Sequence, residues 1–237
     1  KSYHFNMSLN IQTIINEIVE ENNQYKSGLR NNGKFSISDA GTCYRARIYK
    51  RMGVEPTRTI PIENLRKMVA GDAGHEKLQN LLWRGKKMFL SENEVEDEHR
   101  LGHPDGIIKS GGIKHLIEIK TIEKWGMGWI KKQGAKHEHV LQMMTYWVLL
   151  RKDIVDLNRA VLSYVKREDF EAKDFYFLWN NDIERQVDEE WQPLIKHWLD
   201  KTLPDCTCAE MYNGNGAKYC RYATSETECC DEKLFQK

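Results

Sequence analysis

The chain has 237 residues, of which 40% are hydrophobic and 30% charged, with 36 basic side chains against 35 acidic ones. That length can bury one large core or two small ones, and the near-neutral balance excludes a whole-face basic field, so any nucleic-acid site must be a local cleft. No apolar run approaches the roughly 18 residues of a membrane span and no signal-peptide core is visible, so the expectation is a cytoplasmic protein with reduced thiols and no membrane partner.

The first element in chain order is "SLNIQTIINEIVEE", where a cap at Ser8 or Asn10 and apolar residues at 11, 14, 15, 18 and 19 predict a helix. "SISDAGTCYRARIYKRMG" predicts a second helix, capped near Ser38 and ended by Gly53. "IENLRKMVAGDAGHEKLQNLLWRG" predicts a third, closed by Gly85. The period then changes. "KKMFLSENEVED", "GHPDGIIK" and "IKHLIEIKT" are short and β-rich, with a "KSGG" turn between the last two. "HEHVLQMMTYWVLLRK" returns to helix, "RAVLSYVKR" and "DFYFLWN" are strands, and "DIERQVDEEWQPLIKHWLDK" is a closing helix with a kink expected at Pro193. This alternation predicts one α/β domain over 1–237, with a mixed sheet flanked by helices. Its parts are a helical N-terminal portion (1–63) containing Cys43, a core (64–180), and a closing helix with a cysteine tail (181–237).

One strand carries an anomaly. In "LIEIK" the side chains of Ile117 and Ile119 point one way and those of Glu118 and Lys120 the other, which places an acid and a base on one face of a strand among apolar neighbours. Asp105, at the start of the preceding strand, reaches the same end of the sheet. Two carboxylates converging in a partly buried cleft raise each other's pKa unless a cation sits between them, and a hard divalent ion such as Mg²⁺ or Mn²⁺ resolves the conflict. Lys120 beside that ion would orient or deprotonate water and stabilise a developing phosphorane. A merely solvated outer face accounts for the spacing equally well. His75 offers an imidazole on the helix just upstream, with Gly71 and Gly74 allowing close backbone approach. Gln142 and Tyr146, four apart, share one helix face. Taken singly, each is more readily a surface or packing residue than a site residue.

Between the acidic strand and the next helix, Trp125 and Trp129 alternate with Lys124, Lys131, Lys132 and Lys136. Aromatic faces stack bases at about 1–3 kcal/mol each and lysines meet phosphates, so this segment is a candidate single-strand path. A loop pinned to the core by its tryptophans fits as well. Arg45, Arg47, Lys50 and Arg51 form a second basic stripe, expected to be a solvated helix face. Of six cysteines, Cys43 stands alone and Cys206, Cys208, Cys220, Cys229 and Cys230 crowd the C-terminal stretch.

Taken in order, "GHE", "GHPDGII", "LIEIK" and the Q-x-x-x-Y of "QMMTY" resemble the PD-(D/E)XK nuclease superfamily, in particular its RecB-like branch, over residues 36–230. The resemblance implies a restriction-endonuclease-like fold and a metal-dependent exonuclease acting on single-stranded DNA ends. His75, Asp105, Glu118 and the Ile119 carbonyl would bind the ion, Lys120 would be the catalytic lysine, and Gln142 and Tyr146 would shape the site. It also implies recombination or CRISPR-adaptation partners. In the CRISPR-associated and AddB-type members, one cysteine before the core and three after it hold a [4Fe–4S] cluster. Here that suggests Cys43 with Cys208, Cys220 and Cys229, leaving Cys206 and Cys230 as alternates because neighbours in C-x-C or C-C rarely both ligate one cluster. Four thiolates suit zinc as well; the resemblance is what points to iron–sulfur.

Overall fold

The computed structural model of the chain describes residues 11–29, 33–85, 88–91, 93–208 and 220–225, with backbone alone for 24–29 and 88–91. Helix α1 (Ile11–Leu29) is followed by a two-residue strand β1 (Phe35–Ser36), a 3₁₀ turn (Ile37–Asp39), α2 (Tyr44–Met52) and α3 (Ile62–Arg84). Strands β2 (Met88–Ser91), β3 (Val95–Glu96), β4 (Arg100–Gly102), β5 (Gly106–Ser110) and β6 (Ile113–Ile122) come next. Then come α4 (Lys124–Gln133), α5 (His137–Leu150), β7 (Arg159–Lys166), β8 (Ala172–Leu178) and α6 (Asn181–Leu199).

Five strands form one mixed sheet in the order β2-β5-β6-β7-β8, with β6 and β7 parallel and the other pairs antiparallel. A smaller sheet, β1-β4-β3, pairs β1 with β4 in parallel. The two faces of the central strands read directly from the period-2 rule. Leu116, Ala160 and Leu162 pack with Leu141, Met143, Met144 and Trp147 of α5 and with Trp191 of α6 in the main core. Ile117, Ile119 and Val165 face the other way, onto Leu78 and Leu82 of α3. A mixed sheet held between helices in this manner is a restriction-endonuclease-like fold.

Several local expectations change. The segment expected as one helix over 36–53 breaks into the 3₁₀ turn and α2, because Gly41 takes a positive φ of 71° and Cys43 becomes the N-cap. Gly53 ends α2 in the left-handed region at φ 71°, as its position predicts. The glycine-rich stretch after the acidic strand is the helix α4, not a loop: Met127 and Ile130, three apart, are buried, and that burial outweighs the poor propensity of Gly126 and Gly128. α6 runs without interruption through Pro193, which is exposed. On α1 the helical spacing holds, yet Ile11, Ile14, Ile15 and Ile18 remain exposed and only Val19 of that set is buried. Among the described residues no helix is long and apolar enough to cross a membrane.

Candidate active site

Antiparallel pairing of β5 with β6 sets Gly106 opposite Ile117, so Asp105 arrives one step from Glu118. Its carboxylate takes two contacts there: Oδ2 accepts the backbone N–H of Ile119 at 2.5 Å, and Oδ1 lies 3.0 Å from Nε2 of His75 on α3. Ile119 thus meets Asp105 through its N–H. Glu118, only 2% exposed, lies beneath α5, with Oε1 2.8 Å from Nζ of Lys120. Lys120 also donates to Oε1 of Gln142 at 2.7 Å, and Nε2 of Gln142 lies 3.5 Å from the Tyr146 hydroxyl. His75, Asp105, Glu118, Lys120, Gln142 and Tyr146 therefore meet at one end of the β5–β6 pair.

The electrostatics of this group are strained in one direction. Burial, and then the neighbouring Asp105, push the Glu118 carboxyl from 4.5 up to about 7, with Lys120 opposing the shift. Oε2 of Glu118 is buried without a hydrogen-bond partner. A carboxylate oxygen removed from water with no donor is costly, and a cation is what such an atom lacks. Two carboxylates and an imidazole are hard-to-intermediate donors of the kind Mg²⁺ or Mn²⁺ takes, so the residues fit a divalent ion. Burial also raises the Tyr146 hydroxyl well above its ordinary range, with Glu118 adding to the effect, so Tyr146 stays protonated.

Three features here escaped the sequence. The first is Gly102, where a Cβ would come within 2.7 Å of the Tyr146 ring and 2.8 Å of its hydroxyl, so only glycine lets β4 lie against Tyr146. At Gly71 and Gly74, by contrast, an added Cβ would meet Arg167 and Thr121 at 3.5–3.7 Å, which is ordinary contact, so close approach does not require glycine there. His139 is the second; it shares the α5 face of Gln142 and Tyr146 by i, i+3, i+7 spacing, a signal that was available. Its Nδ1 is 2.9 Å from the Tyr164 hydroxyl, and burial, followed by Lys120 and Lys136, lowers its pKa to about 3. The third concerns the arginines of α2, expected on a solvated face: Arg45 and Arg47 are buried, with Nε of Arg45 donating to the Pro204 carbonyl at 2.8 Å and NH1 of Arg47 2.5 Å from Oε1 of Glu190.

The tryptophans of α4 do not pin it to the core. Trp125 is 75% and Trp129 45% exposed, with Lys136 lying 5.8 Å over the Trp129 ring. Lys131 is exposed and paired with Glu171 at 2.5 Å, and Lys132 is exposed.

A second constellation lies where α2 begins. The Sγ atoms of Cys43, Cys206 and Cys208 all fall within 4.8 Å of one another, and those of Cys43 and Cys206 are 4.0 Å apart. Cys206, expected as an alternate, is therefore one of the three. Residues 206 and 208 of an extended stretch point to the same side, which lets both sulfurs of the C-x-C face Cys43. Cys220 is half-buried against the same cluster, with Tyr49, Tyr222 and Ala223. Cys229 and Cys230 lie outside the described residues.

No family model matches the chain, and no curated protein does. Among solved structures, SSO0001 is 18% identical with a TM-score of 0.57, the match covering 90% of this chain and 96% of that one. An alkaline exonuclease from Laribacter hongkongensis, LHK-Exo, is 12% identical with a TM-score of 0.51, over 73% of this chain and 91% of that one. The same enzyme in complex with dAMP is 13% identical with a TM-score of 0.51, over 71% and 89%. At such identities the likeness is one of fold.

Proposed function

We propose that the chain is a metal-dependent deoxyribonuclease of the RecB-like PD-(D/E)XK type, acting on single-stranded DNA ends in recombination, repair or CRISPR adaptation. The observation that carries this reading is the buried, donorless Oε2 of Glu118 beside Asp105, His75 and Lys120. A structural ion pair would satisfy both oxygens of its carboxylate; this one leaves the second for a cation. That the fold also belongs to an alkaline exonuclease, solved with dAMP in one structure, supports DNA as the substrate.

In this reading His75, Asp105, Glu118 and the Ile119 carbonyl hold the Mg²⁺ or Mn²⁺ ion. When bound, the ion supplies Lewis-acid polarisation of a phosphoryl oxygen and lowers the pKa of a water. The chain's own groups do the rest. Lys120 Nζ, held between Glu118 and Gln142, presents a positive charge to the oxygen on which negative charge develops. Gln142 fixes the direction of that ammonium, and Tyr146 keeps its proton so that Gln142 retains one orientation. Trp125 and Trp129 give the incoming strand two exposed faces on which to stack.

The cysteines are assigned a stapling role, holding the tail to α2. The resemblance makes the group a [4Fe–4S] cluster, and the donor set now favoured is Cys43, Cys206 and Cys208, with Cys220 as the fourth. A second reading has support of its own. Bonds of about 2.3 Å to a tetrahedral zinc set sulfurs about 3.8 Å apart, close to the 4.0 Å between Cys43 and Cys206. An absorption spectrum of protein purified without oxygen separates the two: a broad band near 400 nm means iron–sulfur, and a colourless, zinc-containing sample means the alternative.

The decisive experiment for the function is cleavage of labelled single-stranded DNA. Activity that EDTA stops, Mn²⁺ or Mg²⁺ restores and Lys120→Ala abolishes is the expected result. Full activity in the Lys120→Ala protein, or indifference to EDTA, overturns the assignment.

A further inference from the structure

Helix α3 brings His75 to the carboxylates, yet burial does little to fix it there. Of its 23 residues only Leu65 is fully buried, nearly three turns before His75. Around His75, specific contacts take the place of a packed face. Thr121, at the end of β6 and on the α3 side of the sheet, donates its hydroxyl to the Gly71 carbonyl at 3.2 Å. A Cβ at Gly74 would meet the Thr121 methyl at 3.7 Å, so that methyl rests on the following turn of α3. Beyond His75, Nε2 of Gln79 donates to the Asp105 carbonyl at 3.5 Å.

Another contact comes from the 167–171 turn between β7 and β8. Phe170 at its tip holds a positive φ of 61°, a conformation that a bulky side chain rarely adopts. From that backbone the side chain packs, with Leu78 and Leu82 of α3, against Ile117, Ile119 and Val165. Nζ of Lys77, also on α3, stands 5.5 Å from the centroid of its ring. The turn is tied to β6 as well: the Arg167 N–H donates to the Ile122 carbonyl at 3.0 Å, and its NH2 lies 3.5 Å from the Thr121 carbonyl.

A turn that only reversed the chain would carry glycine or asparagine at its left-handed position, with little steric cost. Phenylalanine there accepts strain, and strain retained in a fold points to a use. What the ring gains is a hold on α3 just after His75. The Thr121 bond reads the same way. Within the helix the Gly71 carbonyl already receives the N–H of His75, four residues on, so it does not need the hydroxyl. The bond instead pins to β6 the peptide group that holds the His75 N–H.

We propose that Thr121 and Phe170 are positioning residues. They grip α3 one turn before His75 and just after it, and so set where Nε2 stands relative to Asp105, 3.0 Å away. The proposal rests on the reading of His75 as a metal ligand. A small hard ion tolerates little displacement of a donor, Mg²⁺ demanding near-ideal geometry at about 2.0–2.1 Å. Loss of a group that orients a ligand ordinarily costs about 10–100-fold in metal affinity.

Mn²⁺ binding to the full chain without DNA, followed by the paramagnetic resonance signal of the free ion, tests it. Thr121→Val keeps size and branching and removes the hydroxyl, whereas Thr121→Ser keeps the hydroxyl. Phe170→Gly removes the ring and releases the strain. Thr121→Val and Phe170→Gly should each weaken Mn²⁺ binding about tenfold or more, and Thr121→Ser should stay near the wild type. The decisive comparison repeats the two damaging changes in a His75→Ala background, where Asp105 and Glu118 remain to hold the ion. If both residues act through His75, neither should weaken binding there by more than about twofold. An equal loss in both backgrounds marks a general loosening of the fold and overturns the proposal. Full Mn²⁺ affinity in Thr121→Val overturns it too, whatever Phe170→Gly does. Both of these results leave the metal reading standing. A wild type that takes up no Mn²⁺, or a His75→Ala protein that binds it as tightly as the wild type, sinks the reading of His75 as a ligand and the proposal with it.

Discussion

Glu118→Gln should make the metal-free protein more stable at alkaline pH, which is the reverse of what loss of a structural salt bridge would do. The folded carboxyl titrates at about 7 against 4.5 in its ordinary state, a direction set by burial and then by Asp105. The native state therefore holds a proton that the unfolded chain has released between those values. Stability falls as pH rises from 4.5 through 7 and levels off above. The shift corresponds to about 3 kcal/mol at about 1.4 kcal/mol per unit. Glutamine keeps the volume and removes the charge, but its buried amide still lacks one partner, so the expected gain at about pH 8 is about 1–3 kcal/mol, or roughly 3–10 °C in Tm for a chain of this size. Near pH 4.5 the gain should almost vanish. Urea or thermal melts of EDTA-treated wild type and variant at the two pH values measure it. Addition of Mn²⁺ should then stabilise the wild type and leave the variant nearly unmoved. If Glu118→Gln is destabilising by the same amount at both pH values, Glu118 is a structural partner of Lys120, and the argument for a cation at Oε2 fails.

Gly102→Ala should cost about 1–3 kcal/mol by overpacking, since its Cβ would stand 2.7 Å from the Tyr146 ring. Its cleavage rate should fall with the displaced Tyr146, and an unchanged melting curve would refute the contact. His139 adds an acid-side slope: with its folded pKa lowered to about 3, only the unfolded chain takes up a proton as pH falls below about 6.5, so stability declines toward acid at up to about 1.4 kcal/mol per pH unit. His139→Gln should flatten that decline, and an identical pH profile in the variant counts against a neutral buried imidazole. Cys206→Ser should lose metal content as completely as Cys43→Ala does, because the two sulfurs share one site and close a separation of 163 residues; full metal content in Cys206→Ser would return Cys206 to the status of a bystander. Replacing both Trp125 and Trp129 by alanine should weaken single-strand binding at little cost in Tm, as both rings are exposed, and unaltered affinity would remove α4 from the strand path.

Where one physical rule decided the outcome, the sequence was legible. The period-2 alternation of "LIEIK" was enough to separate Ile117 and Ile119, which meet α3, from Glu118 and Lys120, which face α5. Gly53 could end α2 only because a left-handed C-cap has one preferred residue. The misread segments are those where tertiary burial overrode local preference. Two glycines argued against α4 until Met127 and Ile130 found the sheet. Four basic residues in seven positions read as a solvated face, although α2 buries Arg45 and Arg47 against α6 and the chain after it. No pattern in one dimension announces that a guanidinium will be stacked on Trp191 or Trp198, since those partners lie more than a hundred positions away.

That same distance joins the two unusual features of the fold. Cys43 is the N-cap of α2, and Arg47 and Arg51 follow it at one-turn intervals. Much of what holds α2 in place, namely Glu190, Trp191 and Trp198, belongs to α6, and the Cys206–Cys208 segment that α6 leads into meets its N-cap. A group bound by the cysteines would fix the start of α2 and so the seating of its arginines on Trp191 and Trp198. Such a staple acts by holding a nine-residue helix, too short to be stable alone, against α6.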